Sequence, residues 1–382
     1  MTNRLKVGVI FGGKSGEHEV SIQSAKSIIG ALDPSKYEVD LLGISKSGKF
    51  IIGEEAMFGL NAGHIEDNLS VAPQTVPRLE DQSVINSSPE PFVPDTHQLR
   101  GTLESLKNPN KYDVVIPVLH GTFGEDGAVQ GLLELLNVPY VGAGIASSAV
   151  ALDKIMMKMQ FYSAGLPQVK FKAYSRRDCE KTAEIVEYIE KNLGYPCFVK
   201  PANSGSSVGI SKVKSPDHLV TALNLALQYD RKIIVEQGLD AREIEVGVLG
   251  NDDPEVSVLG EVISANEFYD YKAKYINGDS TLIIPADVGL EQEREIRNLA
   301  IRAFQAVDCS GLARVDFFIE KNTNRVFVNE INTMPGFTKY SMFPKLWEES
   351  GLSYSQLINR LIELALERHG DRQQIVTEYR PD

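Results

Sequence analysis

The chain has 382 residues, 42% hydrophobic and 24% charged, with a formal net charge of −13, which suits a globular protein of two or three cored domains. The acidic balance argues against nucleic acid or an anionic membrane as the main partner, and no apolar run approaches the roughly 20 residues of a membrane span. Cys179, Cys197 and Cys309 are widely spaced and form neither a CxxC nor a zinc pattern. With no leader before the first strand, a cytoplasmic, reducing setting is expected.

Residues 5–11, LKVGVIF, read as a buried strand. The loop GGKSGEHE, a helix over VSIQSAKSIIGAL and a second strand, YEVDLLGIS at 37–45, follow. Strand, glycine loop, helix and strand open a doubly wound, Rossmann-like α/β domain. A nicotinamide or flavin fold is disfavoured, because Gly12-Gly13-Lys14-Ser15-Gly16 is not GxGxxG. Asp40 also lies nearer to roughly 30 than to roughly 20 residues beyond that loop. Residues 46–110 are rich in Pro, Ser, Asn and acid and read as an irregular insertion with one or two short strands. The strand pattern returns at YDVVIPVL, followed by the loop HGTFGEDG, the helix AVQGLLELL and a strand end in VPYVGAG. A first domain then spans residues 1–149.

ALDKIMMKMQFYSAGL reads as one helix, stopped by Gly165 and Pro167. Strands VKFKAYS, YPCFVKP, ISKVKS and RKIIVEQGL alternate with helices CEKTAEIVEYIEKNL and PDHLVTALNLALQYD, an antiparallel α+β unit over 150–236. A second such unit, 237–382, holds strands REIEVGVLG and PEVSVLGEVI, the aromatic and basic loop EFYDYKAKYINGDST and the helix LEQEREIRNLAIRAFQAV. A hairpin and the helix SYSQLINRLIELALERHG complete it.

That hairpin, ARVDFFIEKNTNRVFVNEI, carries the most chemistry. KNTNR is turn material between β-branched and aromatic runs. With the turn centred on Thr323, Asp316 lies opposite Glu330 and Arg314 opposite Asn332, all on one face. Opposed Cβ atoms are roughly 5 Å apart, so the two carboxylates repel unless a cation sits between them. A hard divalent ion with oxygen ligands, Asn332 included, resolves the repulsion, and Mg²⁺ completes its shell with phosphate oxygens and water. Phe318 falls opposite Val328 on the same face. Ala313, Val315, Phe317, Ile319, Phe327 and Ile331 make the core face. Taken as bare pattern, the same residues also describe a half-exposed hairpin with a charged exterior.

Other positions carry less by themselves. Lys200 precedes GSSVG, where glycine N–H groups and an ammonium suit phosphates, yet the order is not that of a Walker loop and a plain polar hairpin fits too. Lys154 reads equally as a solvated lysine. Glu236 and Glu243 suit an adenine amino group or a ribose hydroxyl. Glu17 doubles as a first-turn helix acid, His120 as a capping or packing histidine and Ser206 as a loop hydroxyl.

In combination these blocks resemble the ATP-grasp enzymes: Lys154, Lys200 with GSSVG, VEQ, AREIEV, ARVDFF and NEINTMPG, in that order. GGKSGEHEVS, LHGTFGEDGAVQGLLELLNVPYVGAG and EFYDYKAKY narrow the resemblance to the D-alanine–D-alanine ligases, from about residue 5 to about residue 365. It implies a pre-ATP-grasp domain followed by the two grasp subdomains. It further implies ATP-dependent joining of two D-alanine molecules through a D-alanyl phosphate, for peptidoglycan precursors, in a homodimer.

On these residues the resemblance places phosphates at Lys154, Lys200, Ser206 and Ser207. The adenine goes to Glu236 and Gln237 with Phe268 and Phe318 flanking it, and the ribose to Glu243. Two Mg²⁺ ions, with Mn²⁺ as a substitute, go to Asp316, Glu330 and Asn332. The first D-alanine goes to Glu17 and His120, an oxyanion to Arg314 and the N–H of Gly336, and the second D-alanine to Lys274, Ser341 and Met342. Tyr275, linked to Glu17 and Ser206, sets the acceptor. Two rivals remain: a ligase of the same fold using D-lactate or D-serine, and a nucleotide-binding regulatory protein, since fold alone does not give function.

Overall fold

The computed structural model describes residues 4–65, 111–205, 207–263 and 281–376. Among these the chain forms a mixed α/β structure with three sheets.

The first sheet is built from β1 (Leu5–Gly12), β2 (Tyr37–Ile44), β3 (Phe50–Ile52) and β4 (Val114–Val118) in the order β3-β2-β1-β4. β1 runs parallel to β2 and β4, and β3 pairs antiparallel at the edge. The apolar run of β1 is needed because both faces are covered. Val7, Val9 and Phe11 pack with Ile22 and Ala25 of α1 (His18–Ala31), while Ile10 packs on the other side with Leu42, Val115 and Leu133. Leu133 belongs to α3 (Ala128–Leu135), which follows α2 (Glu54–Ala62) in the chain. The insertion expected over 46–110 opens with a short strand, as expected, followed by a helix that was not. Phe50–Ile52 extends the sheet and Glu54–Ala62 is a helix whose Ala56 and Leu60 join the core. Residues 66–110 lie outside the described residues.

The single helix expected after residue 150 is two, α4 (Ile145–Leu152) and α5 (Lys154–Ser163). Asp153 leaves helical geometry, and its carboxylate accepts from the N–H groups of Ile155 and Met156. It is an N-cap in the middle of an apolar pattern that otherwise runs on.

The second sheet contains β5 (Phe171–Ser175), β6 (Cys197–Pro201), β7 (Ser211–Val213) and β8 (Lys232–Gln237), ordered β5-β8-β6-β7 and antiparallel throughout. Helices α6 (Thr182–Asn192) and α7 (Leu219–Tyr229) cover it. The third sheet comprises β9 (Ala241–Gly250), β10 (Glu255–Ile263), β11 (Thr281–Ile283), β12 (Gly311–Glu320) and β13 (Val326–Asn332), in the antiparallel order β11-β10-β9-β12-β13. One face is apolar: Ile244, Val246, Ala313, Val315 and Phe317 pack on Ile296, Ala300 and Phe304 of α8 (Leu290–Ala306) and on Met157 and Phe161 of α5. The opposite face carries Glu245, Arg314, Asp316 and Glu330.

Two helices close the chain. α9 (Met342–Glu349) lies close on β9 and β10, where glycines make room for it. A Cβ on Gly247 would lie 2.7 Å from Trp347 Nε1, and one on Gly260 would lie 2.6 Å from Met342 Sδ. α10 (Tyr354–Gln373) returns to the first sheet, burying Leu357, Ile358 and Leu361 in the core of β1. Among the described residues no helix is long and apolar enough to cross a membrane.

The hairpin register is the expected one at its working end. Arg314 pairs with Asn332, Val315 with Ile331 and Asp316 with Glu330. Beyond that the register shifts, so that Phe317 pairs with Val328 and Phe318 with Phe327. The bulge leaves Asn329 as the extra residue and exchanges two side chains between faces. Val328, expected opposite Phe318, joins the core instead, and Phe327, expected in the core, stands opposite Phe318.

Candidate active site

The polar face of the third sheet carries a row of acids across three strands. Asp316 on β12 pairs with Glu245 on β9 and with Glu330 on β13. Arg314, two residues before Asp316 and so on the same face, meets Asp316 through two hydrogen bonds. Nε donates to Oδ1 at 2.7 Å and Nη2 to Oδ2 at 2.6 Å. Its Nε also lies 3.1 Å from Glu245 Oε2. Burial opposes the charge on Arg314, but Asp316 and Glu245 outweigh it and hold the guanidinium well above its ordinary value. Asp316, Glu330 and Asn332 offer only oxygen donors on one face, which suits a hard divalent cation. Among the described residues no three His, Cys, Asp or Glu side chains group as a metal cage. A cation held there would have two carboxylates and a carboxamide to hand and would need further ligands from elsewhere.

In front of this face lies a cavity of about 570 Å³. Glu17, His120, Lys154, Ser207, Arg314, Glu330, Asn332, Gly336, Ser341 and Met342 line it, so residues far apart in the chain share one space. Glu17, at the start of α1, is buried, and its carboxylate fits between two glycine loops. A Cβ on Gly121 would lie 2.8 Å, and one on Gly205 2.6 Å, from Glu17 Oε2. His120 is buried. Its Nδ1 donates to the carbonyl of Met334 at 3.1 Å, which leaves Nε2 to accept from Ser24 Oγ at 3.3 Å. Ser24 Oγ in turn accepts from the N–H of Phe337 at 3.3 Å. Burial lowers the His120 pKa, so the ring is neutral and fixed in one tautomer. Lys154 begins α5, and its Nζ donates to the carbonyl of Ser204 at 2.7 Å. Gly336 lies against Ser341, where a Cβ would come 3.1 Å from the hydroxyl. Ser341 caps α9 and shares a 2.8 Å hydrogen bond with Thr338 Oγ1.

A second charged cluster adjoins this cavity. Lys200 ends β6 and Glu236 lies on β8, with Lys200 Nζ 2.6 Å from Glu236 Oε2. Lys158 on α5 places its Nζ 3.1 Å from Glu236 Oε1. Burial works against the Glu236 charge, but Lys158 and Lys200 override it and hold the carboxyl down at about 2. Burial likewise opposes the charge on Lys200, and Glu236, Glu330 and Glu243 outweigh it and raise the ammonium above its ordinary value. Gln237 follows Glu236 and is half-buried. Glu243 pairs across β9 and β12 with Phe318, at the apolar end of the polar face. Lys200, Glu236, Gln237, Glu243 and Phe318 lie outside the cavity wall proper. Ser206, Phe268, Lys274 and Tyr275 lie outside the described residues.

Among the buried ionisable residues of this region, Glu245, Lys158 and Glu125 were not singled out from the sequence. Glu125 sits in the HGTFGEDG block and accepts from the N–H of Gly121 at 2.5 Å. Burial and the nearby charge of Glu17 push its carboxyl well above the usual range. Only the EIEV alternation, which puts Glu243 and Glu245 on the face of Asp316 and Arg314, signalled Glu245 in advance.

A cavity walled by fixed cations and carboxylates, fed by two α/β units and floored by a rigid sheet, is the site of an enzyme acting on small charged molecules. Residues 6–143 match the family described as D-ala D-ala ligase N-terminus, and residues 160–363 match D-ala D-ala ligase C-terminus. A D-alanine–D-alanine ligase of Geobacillus kaustophilus is 49% identical over 99% of each chain. One of Bacillus pumilus is 47% identical over 98% of this chain and 100% of the relative. The solved D-alanine–D-alanine ligase of Coxiella burnetii superposes with a TM-score of 0.78 at 35% identity, covering 97% of this chain and 96% of its own. A D-Ala:D-Ser ligase of Enterococcus faecalis superposes with a TM-score of 0.77 at 33% identity, covering 95% and 100%. The chain belongs to the D-alanine–D-alanine ligase family.

Proposed function

We propose that this protein joins two molecules of D-alanine at the expense of ATP, releasing ADP and phosphate. The observation that supports this most is that Glu17, Arg314, Glu330 and Asn332 line one cavity, with Asp316 paired to Glu330 behind its wall. An amino acid's ammonium, a developing oxyanion and a cation therefore have partners within reach of one another. In this reading the second and third sheets are the two halves of an ATP-grasp fold with the nucleotide between them. Lys154, Lys200 and the loop through Ser207 hold the phosphates. Glu236 and Gln237 meet the base, and Glu243 meets the ribose.

Glu17 accepts from the ammonium of the first D-alanine, with neutral His120 beside it. The carboxylate of that D-alanine attacks the γ-phosphorus of ATP, the bond from phosphorus to the ADP oxygen breaks, and a D-alanyl phosphate forms. Two Mg²⁺ ions on Asp316, Glu330 and Asn332 supply charge neutralisation for the phosphoryl group when bound. Ser341 and Met342 seat the second D-alanine, whose neutral amine attacks the acyl carbon. Arg314 and the N–H of Gly336 stabilise the oxyanion, and phosphate leaves.

Phosphate release with D-alanine, D-serine, D-lactate and L-alanine tests this. D-alanine alone, given ATP and Mg²⁺, is expected to sustain turnover and yield the dipeptide. Mixed products rich in D-serine or D-lactate would replace the acceptor assignment. No acceptor-dependent release would sink the ligase assignment, leaving a nucleotide-binding protein.

A further inference from the structure

We propose that Lys158 is a positioning residue for nucleotide binding, the standing counter-ion of Glu236 that frees Lys200 to engage phosphates. The proposal rests on the ATP reading above.

Lys158 lies one helical turn after Lys154, so both project from the same face of α5. Lys154 reaches a loop carbonyl beside the cavity, but Lys158 points into the protein and is 1% exposed. A buried ammonium needs compensation from every side. Lys158 has the carboxylate of Glu236 at 3.1 Å, the carbonyl of Asn329 at 3.4 Å and the ring of Phe171 at 5.7 Å. Asn329 is the extra residue of the hairpin bulge, and Phe171 pairs with Glu236 across β5 and β8. The ammonium thus fastens α5 to both sheets, beside Glu330.

Glu236 has one oxygen on each lysine. The lysines differ in what else they can reach. Lys158 is enclosed, whereas Lys200 also feels Glu330 and Glu243 on the third sheet, across the space assigned to ATP. An arriving phosphate competes with Glu236 for Lys200. If Lys200 were the sole partner, its departure would leave a buried carboxylate uncompensated, and the nucleotide would bear that cost. Lys158 removes the cost, because Glu236 keeps one ammonium throughout.

The test compares ADP–Mg²⁺ and adenosine binding, by calorimetry and by competition, in the wild type, K158M, K158R, E236Q and the K158M/E236Q double variant. K158M ties Lys200 to Glu236. ADP binding should weaken about tenfold, and adenosine binding should stay within about twofold. ATP KM should rise by the same factor as the ADP loss, with kcat at saturating ATP changed less. K158R keeps the charge and should recover most of the affinity. The double variant removes both charges and frees Lys200; because E236Q also alters the base contact, it is read as the ratio of ADP to adenosine affinity, which should exceed that of K158M. It also supplies a folded comparison should K158M be unstable. Equal loss of ADP and adenosine binding in K158M, or a double variant whose ratio of ADP to adenosine affinity does not exceed that of K158M, would overturn the proposal in favour of a merely structural lysine. A wild type that binds no ADP would overturn the ATP reading itself.

Discussion

Two clusters of three charged side chains adjoin this site with opposite signs. On the third sheet Arg314 lies between Asp316 and Glu245, two acids to one base, with side chains 11–12% exposed. Beside it Glu236 lies between Lys158 and Lys200, two bases to one acid, at 1–11%. The first cluster has one formal negative charge in excess and suits a cation; the second has one formal positive charge in excess and suits phosphates. In each, the minority charge is doubly paired, so a ligand can take one partner without stranding the other. Buried charge of this kind is weak support for stability; its value here is that charge is already in place where charge will arrive.

The contrast can be broken at four points. The largest effect is expected at the negative cluster. E330Q removes a carboxylate opposite Asp316 while keeping its shape, and kcat at saturating Mg²⁺ should fall by about 10³, with the melting temperature held. Next is E236Q in the positive cluster, which leaves two buried ammonium groups without their anion and should cost about 3 kcal/mol of stability at pH 7. Its sign with pH is fixed. The wild-type carboxyl is depressed from 4.5 to about 2, so its contribution is complete above 4.5 and lost as pH falls toward 2. Urea unfolding across pH should show the two proteins converging in that window. A gap that persists at the acid end would contradict the pairing.

R314K should lower kcat by about 10²-fold, because a lysine cannot keep two bonds to Asp316 while still reaching Glu245. Steady-state rates should show this with ATP KM little changed, which separates the two clusters. The smallest effect is expected at G205A. The added methyl meets Glu17 Oε2 at 2.6 Å, the end of a flexible side chain, so the carboxylate shifts while the fold stays. The KM of the first D-alanine should rise about tenfold, with unfolding unchanged.

The working end of the hairpin was legible because a polar turn and strict alternation locate Arg314, Asp316, Glu330 and Asn332 without knowledge of the rest of the fold. The bulge was not. In VFV either parity puts an apolar side chain inward, so Phe327 and Val328 exchange faces without leaving a trace in the pattern. The break at Asp153 hid for a related reason, since α4 and α5 continue one apolar rhythm. Lys158 was invisible because a lysine in a helix is ordinarily solvated. Only the convergence of α5, β8 and β13, from three parts of the chain, buries it. Lys154 and Lys200 were singled out through the blocks around them, whereas the Arg314 cluster lies within one sheet, on the neighbouring strands β9 and β12.

The hydrogen-bonded chain from Met334 through His120 and Ser24 to Phe337 has a consequence for synthesis. Its three links span 214, 96 and 313 residues. Helices and hairpins can form as the chain leaves the ribosome, but contacts this distant wait for the last partner. Until Phe337 has emerged, His120 and Ser24 face an unfilled gap, and Arg314 and Glu330 have only just been made. A nascent or truncated chain lacks these links, and with them the helix that completes the core of β1, so it has no working site before it is whole. Truncations ending before residue 334 should hydrolyse no ATP and should leave the core of β1 incomplete.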